Sequence, residues 1–96
     1  MKLTSFYVTA PVCSPSRSSI QTGCYYKRVN FDKVILPESE IGLNHSEVTL
    51  AEIVRTRGYA THYLGKWHLG DQKEFLPTFQ GYDHYLGHPY SPDMPT

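Results

Sequence analysis

Two short stretches of the sequence contain the residue types best suited to chemistry. The first, "PVCSPSRSSIQTG" (residues 11–23), brackets Cys13 with prolines and places Arg17 four residues later. A helix is predicted to follow, and a cysteine at a helix N-terminus lies in a field that stabilises its thiolate. The second, "GKWHLG" (residues 65–70), contains Lys66 and His68. Lysine is a point charge for anions, and histidine exchanges protons near neutral pH, so a nucleophile and an anion site are both indicated.

Each stretch also has an ordinary structural interpretation. Cys13 could be a buried, unreactive cysteine in a proline-bounded turn. Lys66 and His68 could be a solvated lysine and a histidine packed among aromatic rings. The phosphatase type of nucleophilic cysteine is excluded, because that site needs an arginine six residues after the cysteine, where this chain has Ser19.

The surrounding sequence predicts an α/β arrangement that would position these residues. Alternation over residues 3–10 predicts a strand, and residues 16–22 predict a short helix that Gly23 terminates. In an extended strand, Lys66 and His68 face one side and Trp67 the other.

A second helix and two more strands are predicted farther along the chain. Thr49 and Glu52 form a capping box ahead of an apolar stripe, which predicts a helix that continues to Gly58. Residues 59–67 are expected to form a strand and residues 82–87 a short one. The order of strand, helix, helix and strand predicts a sheet with parallel strands.

The remaining candidates for metal or disulfide chemistry are weak. His84 and His88 have the spacing of a helical metal pair, but the adjacent glycine and proline disfavour a helix, so no zinc site is predicted. Cys13 and Cys24 could form a disulfide, although nothing in their spacing demands one.

Length and charge restrict the classes of protein that remain. The chain has 96 residues, enough for one small domain, and a formal net charge of +0. Without a basic run, a nucleic acid or an anionic membrane surface is not expected as the main partner. No apolar stretch approaches the ~20 residues of a membrane-spanning helix.

Taken together, the motifs resemble one enzyme family. "CSPSR" followed by "TG", and later "GYATHYLGKWHLG", resemble the two signature stretches of the formylglycine-dependent (type I) sulfatases. The tail "FLPTFQGYDHYLGHPYSPDM" is similar to the arylsulfatase A and galactosamine-6-sulfatase branch. The resemblance runs from about residue 3 to residue 94. The sequence departs from the family at two positions. Gln21 is polar where the family usually has an apolar residue, and Leu64 is larger than the residue usually found at its position.

The resemblance implies a role for each candidate residue. Cys13 would be oxidised to formylglycine by a formylglycine-generating enzyme, which reads Pro15 and Arg17 on the unfolded chain. Arg17 would hold the aldehyde hydrate, and Lys66 would bind sulfate oxygens. His68 would take the proton that triggers release of sulfate.

Two further elements of the site are implied in the same way. Ser91 matches a position that contacts substrate. The family also uses a calcium ion, and the modified Cys13 would be one of its ligands.

The resemblance further implies that residues 1–96 are an N-terminal-side fragment of a catalytic domain with an alkaline-phosphatase-like α/β fold. The other metal and substrate ligands would lie outside the fragment, which we therefore expect to be inactive alone. The whole protein would hydrolyse sulfate esters of aromatic or sugar alcohols and be secreted, periplasmic or lysosomal. A phosphonate monoester or phosphodiester hydrolase and a non-catalytic structural fragment are the alternatives.

Overall fold

The fold was analysed in a computed structural model that describes residues 1–37 and 39–90. These described residues form two short α-helices, a pair of strands and several 3₁₀ turns. In chain order these are α1 (Cys13–Thr22), a 3₁₀ turn (Tyr26–Val29), α2 (Leu50–Arg55), β1 (His62–Lys66), two 3₁₀ turns (Lys73–Phe75 and Pro77–Phe79) and β2 (His84–His88).

Helix α1 begins three residues before the predicted start, so Cys13 is its first residue rather than a residue ahead of it. The backbone of Val12 is still extended, with φ of −120°. Pro15 is compatible with this earlier start, because the N–H that proline lacks has no helical partner in the first turn. Gly23 ends the helix with φ of 69°, as predicted, and donates its N–H to the carbonyl of Ser19.

Helix α2 has the predicted start and ends earlier than predicted. Thr49 Oγ1 accepts a hydrogen bond from the Glu52 N–H, and the Glu52 carboxylate accepts one from the Thr49 N–H, both at 3.3 Å. The helix ends at Arg55, and a turn continues to Gly58, whose φ is 81°. The capping box is therefore confirmed.

Strands β1 and β2 pair in parallel, from His62 opposite His84 to Lys66 opposite His88. This agrees with the predicted parallel sheet. The strand predicted at residues 59–67 is shorter than expected. It ends at Lys66, and at His68 the backbone is left-handed, with φ of 59°.

The strand predicted at residues 3–10 is wrong for the described part of the chain, where this segment has no regular structure. Its apolar side chains are largely exposed, including Phe6, Tyr7 and Val8. A strand exists only where a neighbour completes its backbone hydrogen bonds, and none of the described residues pairs with this segment.

One apolar cluster lies against one face of the two-stranded sheet. Tyr63 and Tyr85 pack against it from β1 and β2. Its buried members are Val29, Phe31, Ile35, Leu43, Trp67, Leu69 and Tyr90. The opposite face of the sheet is open, and there Leu64 and Leu86 are 75% and 74% exposed.

Candidate active site

The fold brings Cys13, Arg17 and Lys66 together at the N-terminal end of α1. Lys66 Nζ donates a hydrogen bond to Cys13 Sγ across 2.9 Å, although the two residues are 53 positions apart. Arg17, one turn into the helix, donates from Nη1 to the backbone carbonyl of Lys66 at 2.6 Å. All three side chains are half-buried, so they remain within reach of a ligand.

Tyr63 completes this cluster and has no counterpart among the candidates predicted from sequence. Its hydroxyl donates to the Lys66 carbonyl at 2.7 Å and accepts from Arg17 Nη1 at 3.4 Å. Its ring packs edge-on against Trp67 and Tyr82, with centroids 5.1 and 5.2 Å apart. The tyrosine thus ties the last residue of β1 to the guanidinium of α1.

The backbone of β1 has an unusual conformation at Gly65, immediately before Lys66. Gly65 has φ of 110°, a conformation that residues with a side chain rarely adopt. Next to it on β2, a Cβ at Gly87 would clash with the Gly65 carbonyl oxygen. Two glycines therefore permit the conformation and close pairing of the strand end that carries Lys66.

The cluster carries positive charge without a nearby counterion. Among residues 1–37 and 39–90, the ion pair present joins Arg55 to Asp83, and no carboxylate lies within 4.0 Å of the Lys66 or Arg17 charges. The N-terminal end of α1 adds the positive end of its dipole. This arrangement favours an anion beside residue 13.

His68 does not share the environment expected for it. The prediction that Lys66 and His68 project side by side rests on an extended backbone, which the left-handed conformation of His68 interrupts. Its side chain is fully buried, and its ring packs edge-on against Tyr90 with centroids 5.3 Å apart. Within the described part of the chain it makes no hydrogen bond to Cys13, Arg17 or Lys66.

The hydrogen bond of His68 determines its tautomer. Its Nε2 lies 2.6 Å from the backbone carbonyl oxygen of Ile35, which can only accept, so Nε2 carries the proton. Nδ1 is buried and has no partner among the described residues. Burial lowers the pKa of His68, the charges of Lys66 and Arg17 lower it further, and the bond to Ile35 opposes this change. The neutral ring therefore presents a bare Nδ1 at neutral pH.

Ile35 connects His68 to helix α1 through its backbone. Its N–H donates to the hydroxyl of the buried Ser14 at 3.1 Å, while its carbonyl accepts from His68. A residue that acts through its backbone leaves no signal in its side-chain type, so sequence reasoning missed this connection.

The remaining predicted positions have different outcomes. Ser91 lies outside the described residues. Cys13 and Cys24 are free thiols. His84 is on β2, and its ring stacks on that of His62 with centroids 4.7 Å apart. Gln21, unusual for the resembled family, is buried and accepts a 2.7 Å hydrogen bond from the Tyr82 hydroxyl, which satisfies its polar side chain.

The described residues do not fit a calcium site on their own. Calcium takes ~6–8 oxygen ligands, largely carboxylates and carbonyls. No group of three His, Cys, Asp or Glu side chains in residues 1–37 and 39–90 is arranged to hold a metal. The neighbour of Cys13 Sγ is instead the ammonium of Lys66.

Among the described residues, no helix is both long enough and apolar enough to cross a bilayer.

Comparisons with known proteins agree with one another. The family model described as Sulfatase matches residues 1–96. Arylsulfatase A of Homo sapiens is 45% identical over 97 residues, covering 98% of this chain and 19% of that protein. Arylsulfatase G of Mus musculus is 44% identical over 94 residues, covering 98% and 18%. The crystal structure of Ps i-CgsB matches 84% of this chain and 18% of its own, with a TM-score of 0.80 and 32% identity. The chain thus spans less than a fifth of the length of these proteins.

Proposed function

Because the chain belongs to the sulfatase family, we propose that it supplies the nucleophile and part of the sulfate-binding site of a sulfuric ester hydrolase. Family membership confirms the resemblance seen in the two signature stretches, and the solved relative supports the α/β fold. The names of the arylsulfatase relatives favour aromatic sulfate esters as substrates, and the family resemblance adds sulfate esters of sugar alcohols. The proposal depends most on one observation, the 2.9 Å contact of Lys66 with residue 13 at the start of a helix.

Formylglycine at position 13 would supply chemistry that a thiol cannot. As a hydrate it has two hydroxyls on one carbon: one oxygen bonds to sulfur as the substrate alcohol leaves, and the other forms the carbonyl as sulfate departs with the C–O electron pair. Both oxygens would be bonded to Cβ of residue 13, the carbon that carries Sγ in Cys13. Addition of water then restores the hydrate.

Lys66 and Arg17 are proposed to handle the negative charge of this reaction. The contact of the Lys66 ammonium with Cys13 Sγ supports a role in which it binds sulfate oxygens and stabilises the charge that develops as the S–O bond breaks. Arg17 is held by the Lys66 carbonyl, so its remaining donors can face residue 13. Ser91 remains a proposed substrate contact.

His68 is proposed as the base that releases sulfate. Its Nε2 is committed to Ile35, so the bare Nδ1 is the nitrogen able to accept a proton from the second hydroxyl. The lowered pKa keeps the ring neutral and ready to act as a base at neutral pH.

We also infer that the whole protein takes its calcium ligands, apart from modified residue 13, from outside residues 1–96. We propose that these residues are a fragment of the catalytic domain and are inactive alone. Secretion, a periplasmic location or a lysosomal one is inferred from the family resemblance.

The test is expression of the full-length protein with a formylglycine-generating enzyme. The peptide containing Cys13 should weigh about 18 Da less than its thiol form, the result of converting thiol to aldehyde. The purified protein should then hydrolyse an aryl sulfate in preference to an aryl phosphonate monoester.

Two cysteine variants provide the matched comparison. Cys13→Ala should abolish hydrolysis, whereas Cys24→Ala, which removes the other free thiol, should retain it. A Cys13 peptide that remains fully thiol beside a converted control protein would refute the formylglycine mechanism. Equal activity of the two variants would refute the role of residue 13.

A further inference from the structure

The segment directly after β2 contacts both the backbone and the ring of His68. The backbone N–H of His68 donates to the Pro89 carbonyl at 2.8 Å. The next residue, Tyr90, is buried and packs its ring edge-on against the imidazole. The Tyr90 hydroxyl donates to the carbonyl of Leu36 at 2.9 Å.

Leu36 is the neighbour of Ile35, whose carbonyl receives the His68 Nε2 proton. Tyr90 therefore contacts the imidazole directly and also anchors the backbone segment that orients it. Burial, together with Asp71, raises the pKa of Tyr90 to about 12, so its hydroxyl stays protonated and able to donate at neutral pH.

We propose that Tyr90 is a positioning residue that holds the His68 imidazole, and the carbonyl segment at residues 35–36, in the orientation needed for proton transfer from residue 13. This inference rests on the proposed function, since it concerns the base that releases sulfate. Tyr90 acts through its ring contact and its hydroxyl bond, and it does not touch the reacting atoms.

The proposal separates two steps of turnover. Misorienting Nδ1 slows the step in which the second hydroxyl loses its proton and sulfate leaves. The earlier step, in which an oxygen of residue 13 bonds to sulfur and the alcohol departs, depends on Lys66 and Arg17. Tyr90 makes no hydrogen bond to these two side chains in the described structure.

The matched control is Tyr85, on β2 itself. Its hydroxyl is buried and has no hydrogen-bond partner among the described residues. Tyr85→Phe and Tyr90→Phe each remove one buried hydroxyl from the same part of the fold, but only the second removes a hydrogen bond beside His68.

The experiment uses the full-length, formylglycine-containing protein with 4-nitrophenyl sulfate. Rapid mixing measures release of nitrophenol in the first turnover, and intact mass measures the fraction of residue 13 that carries sulfate at steady state. Tyr90→Phe should leave the first-turnover rate unchanged and slow sulfate release by about tenfold to hundredfold, the cost of a small misplacement. Sulfate should accumulate on residue 13, and Tyr85→Phe should behave as wild type.

Three results would overturn the inference. These are wild-type kinetics in Tyr90→Phe, equal slowing of both steps as expected for general destabilisation, and the same effect in Tyr85→Phe. If Tyr90→Phe does not fold, ¹⁵N NMR of the wild-type protein can instead show which ring nitrogen of His68 carries the proton. A proton on Nδ1 would also contradict the proposal, because that nitrogen could not then act as the base. Normal turnover by His68→Ala is distinguishable from all of these and would refute the proposed function itself.

Discussion

Lys66 and His68 are separated by a single residue, yet they occupy contrasting environments. Lys66 is half-buried at the end of β1, and its flexible side chain reaches residue 13. His68 is fully buried and has a left-handed backbone; one ring nitrogen is bound to a carbonyl, and the other has no partner among the residues that the structure describes. A cation that binds a sulfate group benefits from a long, flexible side chain, whereas a base that removes one proton needs a fixed orientation. The two environments suit the two tasks that we propose for these residues.

Removing His68 should have the largest effect on turnover. His68→Ala in the full-length enzyme should permit the first step and then stop, because no base remains to trigger sulfate release. A single turnover of alcohol should appear, and intact mass should find sulfate on residue 13. An unfolded variant would give no first turnover, so loss of structure is readily recognised. Normal multiple turnover would show that His68 is not this base.

Removing the charge of Lys66 should affect the first step instead. Lys66→Ala should lower both kcat and kcat/KM, with a loss of about 3–4 kcal/mol in transition-state stabilisation. The control is Trp67→Phe, which alters a fully buried ring bonded to the Phe75 carbonyl and should reduce the melting temperature more than the rate. Accumulation of the sulfated adduct in Lys66→Ala, but not in His68→Ala, would reverse the two assignments.

Tyr63 should make a smaller contribution, to stability, through its hydrogen bond to the Lys66 carbonyl. Tyr63→Phe deletes the hydroxyl between Arg17 and the Lys66 carbonyl, which should cost about 1 kcal/mol in the free energy of unfolding, measured by urea denaturation. Tyr85→Phe is again the control, since its hydroxyl has no partner in the described part of the chain. If both variants lose the same free energy of unfolding, the hydroxyl of Tyr63 does not link Arg17 to the Lys66 carbonyl.

The buried imidazole should also make stability depend on pH. Its folded pKa is lowered from the ordinary value of about 6.5, so below that pH the unfolded chain binds the proton first. The contribution of His68 to the free energy of unfolding is therefore complete above pH about 6.5 and is lost as the pH falls toward the lower folded value. Urea denaturation of wild type and His68→Gln across this range should show the extra acid sensitivity in wild type alone. If the free energies of unfolding of the two proteins changed in parallel with pH, the proposed contribution of His68 would be contradicted.

Calcium should have the smallest effect, namely none on the isolated 96 residues. Their described side chains offer no group of three metal-binding residues. Because a ligand stabilises a protein only by binding its folded state, the melting temperature should not rise with calcium. A saturable rise would show that oxygen ligands for this ion exist within residues 1–96.

Several features of the fold could be predicted from sequence because local patterns determine them. The capping box at Thr49 and Glu52 and the glycine that ends α1 are short-range signals, and both are present. A sheet with parallel strands was also predicted, but the pairing of residues 62–66 with residues 84–88 was not. The prediction of a strand at residues 3–10 was wrong, because a strand needs a neighbouring strand and the alternation of side chains does not show whether one is present.

The candidate site could be predicted from the sequence only in part. Residue type and spacing made Cys13 and Lys66 candidates, and the family resemblance assigned them and Arg17 to one site; the three come together in the structure. The left-handed backbone at His68 broke the alternation rule that predicted its direction. The Ile35 carbonyl was missed because backbone acceptors have no residue signature.

The open face of the two-stranded sheet has a practical consequence for handling this chain. Leu64 and Leu86 lie uncovered there, and within residues 1–37 and 39–90 each strand has a neighbouring strand on one side only. Exposed apolar surface beside unpaired strand edges promotes self-association. Produced alone, residues 1–96 should therefore show concentration-dependent light scattering, and charged substitutions such as Leu64→Lys and Leu86→Glu should improve their solubility.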